Sequence, residues 1–361
     1  MLTFRIEKRN EPSQTMVYAT PFLAVVLTII AGFFLFSFMG KNPVQAITLI
    51  FIEPLTTIYS ISELLVKATP LILIAIGLSM GFKAGVWNIG AEGQFTMGAV
   101  AGSAVALYFY EVDGFYVMPL MALAGMLGGM AWAAIPAFLK TRFNTNEILV
   151  SLMLVYVATL VLNVLVHGPM RDPDGFNFPE SRLFSDSAVL PLIMEQGRAH
   201  AGFLVALVIV AAAWVLQARH ILGFQIRVAG EAEEAAGYAG FTKKRLVWVT
   251  FMISGGLAGL AGLFEAAGPV GQLVPALPVG YGFTAIIVAF LGRLNPVGIL
   301  LGGLLLALTY IGGESAQISM SLPKATTSVF QGMLLFFLLA VDILINYRVK
   351  LLNEPVSAGV K

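Results

Sequence analysis

Between residues 85 and 95 the chain reads GVWNIGAEGQF, which sets Asn88, Glu92 and Gln94 among glycines between two long apolar runs. Amide and carboxylate side chains in such a place have three uses. They bond backbone groups freed by a helix break, touch a polar solute, or pass protons or ions. A relay calls for further acids or histidines nearby, and the candidates are Glu265 and Asp342, each near the end of an apolar run. A second irregular region, 266–292, reads AAGPVGQLVPALPVGYGFTAIIVAFLG. There Pro269, Pro275 and Pro278 remove backbone donors and break helix, leaving Gln272 and Tyr281 as polar groups beside an apolar wall. Phe283 and Phe290 can stack on a planar ring or simply pack.

Other chemistries lack their residues. The chain has no cysteine, which excludes disulfides, thiolate nucleophiles and Cys-bound metals, and its three histidines, His167, His200 and His220, are too scattered for a metal motif. GxSxG, HExxH and the GxxxxGK[ST] phosphate loop are absent. No cofactor is expected on this chain, and it cannot bind ATP by the phosphate-loop route, so any energy for its work comes from elsewhere. No basic stripe with interleaved aromatics suggests nucleic acid.

The composition says what surrounds these residues. Of the 361 residues 58% are hydrophobic and 11% charged, and mean hydropathy is +0.87, against about 25% charged in soluble domains. This is the make-up of an all-α polytopic membrane protein, since barrel strands would show short alternating segments instead. Lipid exposure would cost Glu92 about 2.5–3.5 kcal/mol on insertion scales. Non-helical backbone at depth is tolerated only where protein or a water-filled cavity satisfies it, and Gly85, Gly90 and Gly93 let the backbone turn. The stretch therefore reads as a helix break lining a polar cavity.

Apolar runs at 17–39, 64–82, 94–110, 117–139, 148–166, 201–216, 246–264, 282–291, 297–312 and 326–345 give ten expected spans. The eighth is too short to cross alone, because helix rises about 1.5 Å per residue, so it reads as part of a broken or re-entrant element. The first run exceeds a signal-peptide core and lacks a small-x-small cleavage site, so it reads as a retained span. Arg5, Lys8, Arg9, Lys140, Arg142, Lys243, Lys244, Arg245 and Arg348 lie in flanks that a cytoplasmic N-terminus places inside. Fewer, such as Lys41, Lys67, Arg171 and Lys324, lie outside. The bias predicts both termini in the cytoplasm.

Two connections stand out in this single membrane domain, 1–361. The outer loop, 168–200, is dense in Pro, Gly, Asp and Ser and can meet a soluble partner. The inner loop, 217–245, contains an Ala- and Glu-rich stretch, 231–239, stopped by Gly240, which predicts one short helix. That helix is either a solvated connector or a docking knob for a cytoplasmic protein. Glycine pairs such as Gly98 with Gly102, Gly125 with Gly129, and Gly255 with Gly259 read as close helix packing.

NIGAEGQF, TRFNTNEILVSLMLVY, GPMRDPDG, RVAGEAEEAAGYAGF and GYGFTAIIVAFLGRLNPVGIL together resemble permease subunits of nucleoside-type ABC importers, within the branched-chain amino acid and simple sugar permease group. The resemblance implies a type II, cobalamin-importer-like bundle in a bacterial cytoplasmic (inner) membrane. The implied partners are a second homologous permease, a cytoplasmic ABC ATPase and an extracytoplasmic solute-binding protein. It also implies alternating access for a polar solute, nucleoside foremost. It puts Asn88, Glu92 and Gln94 in a polar mid-membrane motif and Phe283 and Phe290 in a second one, and with Gln272 and Tyr281 these are the expected solute-pathway residues. Arg227, Gly230, Glu231, Glu234, Ala235, Ala236, Tyr238, Ala239 and Gly240 become the ATPase-coupling element. Simple sugars remain an alternative solute, and a proton-coupled secondary transporter an alternative mechanism. A membrane-embedded transferase is disfavoured, because no acidic pair or metal motif lies at an interface.

Overall fold

The computed structural model describes residues 2–9 and 13–353. In chain order these form β1 (Leu2–Lys8), α1 (Gln14–Phe38), α2 (Pro43–Phe51), α3 (Ile58–Lys83), α4 (Ala91–Tyr108), α5 (Val117–Phe143), α6 (Glu147–His167) and α7 (Gly202–Arg219). Then follow α8 (Ile221–Glu231), α9 (Glu233–Tyr238), α10 (Lys243–Glu265), α11 (Tyr281–Leu291), α12 (Pro296–Met320), α13 (Lys324–Asn346) and β2 (Tyr347–Asn353). Among the described residues eight helices are long and apolar enough to cross a membrane: α1, α3, α5, α6, α7, α10, α12 and α13. Of the ten expected spans, α4 is long enough, but Glu92 and Gln94 dilute its hydropathy. The other, α11, has 11 residues, as the short eighth run predicts. Large apolar side chains such as Phe22, Phe34, Leu160, Val164, Val208 and Phe336 are exposed along α1, α6, α7 and α13. In a multi-pass membrane protein such exposed apolar surface suits lipid or a neighbouring subunit.

The chain forms two compact units, Met1–Glu53 with Gly312–Lys361, and Pro54–Ile311. In the first, α1 and α13 pack antiparallel. The Ser13 N–H donates to the Ile345 carbonyl at 3.1 Å, and Phe36 stacks on Phe330 with ring centres 6.4 Å apart. Ala46, Ile50 and Ala316 complete this core. The all-helical expectation missed one element here: β1 pairs antiparallel with β2, from Leu2 opposite Asn353 to Lys8 opposite Tyr347.

In the second unit α3 and α10 are the most buried of the candidate spans. Around α10, glycines bring backbones together. A Cβ at Gly98 would fall on the Gly259 backbone, one at Gly259 on the Gly125 carbonyl, and one at Gly129 on the Gly255 carbonyl. The glycine pairs read from sequence thus form one seam joining α4, α5 and α10. The FNTNE turn ends α5 at left-handed Asn144 (φ 52°). It starts α6 with Asn146, whose side chain accepts from the Ile148 and Leu149 N–H groups.

Candidate solute pathway and coupling element

The break after α3 is a closed polar node. The Asn88 and Gln94 side-chain amides bond each other reciprocally at 2.8 and 3.1 Å. Asn88 also donates to Ser254 Oγ at 2.9 Å and accepts from the Gly90 N–H at 3.1 Å, while Ser151 Oγ accepts from the Ile89 N–H at 3.2 Å. One extended peptide is thereby tied to α4, α6 and α10.

Glu92, 3% exposed, reaches a second element. Its carboxylate accepts from the Gly280 N–H at 2.7 Å and from the Gly282 N–H. These are orphan donors at the start of α11, where Gly280 takes a left-handed conformation (φ 94°) and no cap side chain is supplied. A carboxylate at a helix N-terminus is favoured by the helix dipole as well as by the two bonds. The two irregular regions are thus one assembly, in which Glu92 of the first caps the half-helix of the second.

Beside it, Tyr281 is fully buried. Its hydroxyl accepts from Lys67 Nζ at 2.8 Å and donates to Glu265 Oε1 at 3.2 Å, and Lys67 Nζ lies 3.9 Å from the same oxygen. Phe95 and Tyr310 pack on the Tyr281 ring edge to face. The sequence reading did not single out Lys67 for this role, counting it with the outer flank. It stands nine residues into α3, about 14 Å along the axis, and its signal was a lone cation inside an apolar run.

The other expected pathway residues lie apart from this group. Phe290 stacks on Phe82 and Trp87, with ring centres 5.3 and 5.9 Å away. Phe283 is exposed. Gln272 donates to Glu180 at 3.0 Å, one of several bonds tying the outer loop to the chain beyond α10. The Ser181, Phe184 and Leu190 N–H groups donate to the Leu273, Gly271 and Ala267 carbonyls. Arg198 forks onto Glu63, which holds its guanidinium protonated more firmly than usual.

His200, in that loop, is pressed against Phe264. Its Nδ1 accepts from the Gly202 N–H at 3.2 Å, which puts the proton of the neutral ring on Nε2. Burial lowers its pKa from 6.5 to about 4. The unfolded chain therefore takes up a proton below pH 6.5 that the folded chain refuses until about pH 4, and stability falls as pH drops through that window. Melting of the detergent-purified protein from pH 7 to pH 4 is expected to show this slope, and His200→Gln to remove its share.

The inner loop differs from the single helix expected over 231–239. Two helices form, broken at Ala232, whose backbone is non-helical (φ −149°, ψ 78°). His220 caps α8 by accepting from the Leu222 N–H at 3.1 Å, and Gly223 and Ile226 are buried; two glycines in α8 had masked its helical pattern. Gly240 (φ 80°) stops α9 as expected. Gly230 sits against the Lys83 carbonyl with no room for a Cβ, and Lys83 Nζ donates to Gln217 at 2.7 Å, so α8 abuts the end of α3. Of the expected coupling residues Ala236 is buried. Arg227, Gly230, Glu231, Glu234, Ala235, Tyr238, Ala239 and Gly240 are exposed, Tyr238 by 95%.

Residues 60–339 match the family described as branched-chain amino acid transport system/permease component. The glucose ABC transporter permease protein of Haloferax volcanii is 37% identical over 95% of this chain and 94% of its own length. The guanosine ABC transporter permease protein of Bacillus subtilis is 28% identical over 88% and 91%. A nucleoside ABC transporter permease protein of Lactococcus lactis is 26% identical over 90% and 92%. No solved structure matches the chain. With its motifs, its multi-pass helices and a family match across most of its length in agreement, the chain belongs to the permease components of the branched-chain amino acid transport system family.

Proposed function

We propose that this chain is the membrane-crossing subunit of an ATP-driven importer of a small, polar, hydroxylated solute, a nucleoside or a simple sugar. Transport proceeds by alternating access in a type II bundle, and ATP is used by a separate cytoplasmic ATPase. The observation that carries this reading is the α8–α9 element, which abuts the end of buried α3 on one side and presents Glu234, Ala235, Tyr238 and Ala239 outward on the other. Pushing on α9 moves α8, and α8 has no slack against Lys83. Relatives named for glucose, guanosine and nucleosides support the solute class. Two permeases are named for guanosine in B. subtilis and two for nucleosides in L. lactis, which supports pairing with a second permease. An extracytoplasmic solute-binding protein delivers the solute to the outer loop. The setting is a bacterial cytoplasmic membrane with both termini in the cytoplasm, a reading supported by the pairing of β1 with β2.

Asn88, Glu92 and Gln94 serve this pathway by fixing its wall. Replacing residues 231–239 with a Gly/Ser linker is expected to leave the chain inserted and to cut ATP-driven uptake by vesicles at least ~10-fold, the lost positioning of a mechanical contact. Undiminished uptake would refute the coupling role. Uptake that stops when the proton gradient is collapsed at constant ATP would favour the secondary-transporter reading instead.

A further inference from the structure

Glu265 is buried at the end of α10, 6% exposed, and only one of its carboxylate oxygens is engaged. Oε1 takes the Tyr281 hydroxyl and faces Lys67. Oε2 has no hydrogen-bond partner among the described residues. Buried carboxylate oxygens are rarely left so, because the unmade bond is costly, and such an atom calls for a group that completes it. Lys67 keeps a donor to spare, since an ammonium has three and the Tyr281 hydroxyl takes one. Its side chain is also the more exposed of the pair, 21% against 7%, so a molecule arrives from the Lys67 side. Tyr310, half-buried, packs on Tyr281 at 6.0 Å.

We propose that Lys67 and Glu265, positioned by Tyr281, form a solute-contacting subsite for a vicinal diol, one hydroxyl donating to Glu265 Oε2 and its neighbour accepting from Lys67 Nζ. The proposal rests on the importer reading above and names the chemistry recognised. Lys67 Nζ lies 3.9 Å from the other oxygen of the same carboxylate, so donor and acceptor belong to neighbouring groups, as the two hydroxyls of a sugar ring or a riboside do. The charges argue for a neutral solute. Ammonium and carboxylate already compensate each other, so an anion would meet Glu265 and a cation Lys67. A zwitterionic amino acid would have to separate the pair to use both. A diol bridges it and leaves the Tyr281 bonds in place.

The test is uptake by vesicles carrying the whole reconstituted complex, with D-glucose and guanosine as probes, each beside its 2-deoxy or 2′-deoxy analogue, and L-leucine as the zwitterion. Wild type is expected to move at least one parent solute about 10-fold or more faster than its deoxy analogue, as sites built around a hydroxyl do. Glu265→Gln and Lys67→Met are expected to slow the parent about 10-fold and the analogue little, so that the preference collapses. Tyr281→Phe, which keeps the ring and frees both partners, should narrow it in the same direction if either of the first two fails to fold. A preference unchanged in properly folded variants overturns the subsite while the importer reading stands. Leucine moved faster than both parents overturns the diol assignment. A wild-type complex that moves none of the probes under ATP overturns the proposed solute class and the subsite together.

Discussion

Glu92→Ala is expected to destabilise the permease by roughly 3 kcal/mol, because it strands two buried N–H donors at the start of α11 and removes the negative charge that faces its dipole. No nearby side chain can substitute. Asn88 and Gln94 are committed to each other and to Ser254, and α11 has no side-chain cap of its own. The loss should appear as a lowered melting temperature in detergent and as the disappearance of uptake. Glu92→Gln retains one acceptor oxygen and the side-chain shape, and should cost about 1 kcal/mol, the net worth of one hydrogen bond. Its relative rates with glucose, guanosine and their deoxy analogues should match wild type. A change in that ranking would show Glu92 reading the solute and would refute the capping role.

Gly259→Val is expected to abolish the folded protein. Its side chain would enter the seam where the Gly125 carbonyl and the Gly129 backbone already touch, and neither neighbour has a flexible end that can swing aside. Overpacking against side chains typically costs about 1–3 kcal/mol; against the backbone of α5 at two successive turns the expected cost exceeds ~4 kcal/mol, in the exceptional range. Gly129→Val should behave alike, since its Cβ would meet Gly255 and Gly259. Gly332→Ala is the control. Nothing lies within 4 Å of a Cβ there, so its effect should stay within about 0.5 kcal/mol. Fluorescence-detected size exclusion of the three variants separates the outcomes, and a monodisperse Gly259→Val peak would show the seam to be looser than its backbone distances imply.

Several of these features are local enough to be read from sequence. A carboxylate, two amides and three glycines within eleven residues of apolar surroundings mark a helix break wherever they fall. The prolines at 269, 275 and 278 mark a second break, and the glycine spacing marks close helix approach. The partners of these groups are another matter, because they are set by packing between distant segments. Glu92 bonds Gly280 and Gly282, 188 and 190 residues away; the only local sign was a helix beginning at Gly-Tyr-Gly without a Ser, Thr, Asp or Asn to cap it. Lys67 sits four residues into the apolar run 64–82 and so counts with its flank, whereas α3 starts at Ile58 and carries it inward. In β1 the alternation Leu2, Phe4, Ile6 against Thr3, Arg5, Glu7 has the period of a strand, but seven residues without a neighbouring hairpin gave it no visible partner.

The pairing of α1 with α13, closed off by β1 and β2, bears on how the chain is made. A ribosome delivers α1 well before α13, so α1 enters the bilayer long before the surface that Phe36 and Gly32 press against exists. Until Phe330 arrives, that side of α1 must be shielded by lipid or by the insertion machinery. A transcript ending before residue 324 would leave it uncovered for good, a distinguishing mark by which a membrane protease could recognise an unfinished permease.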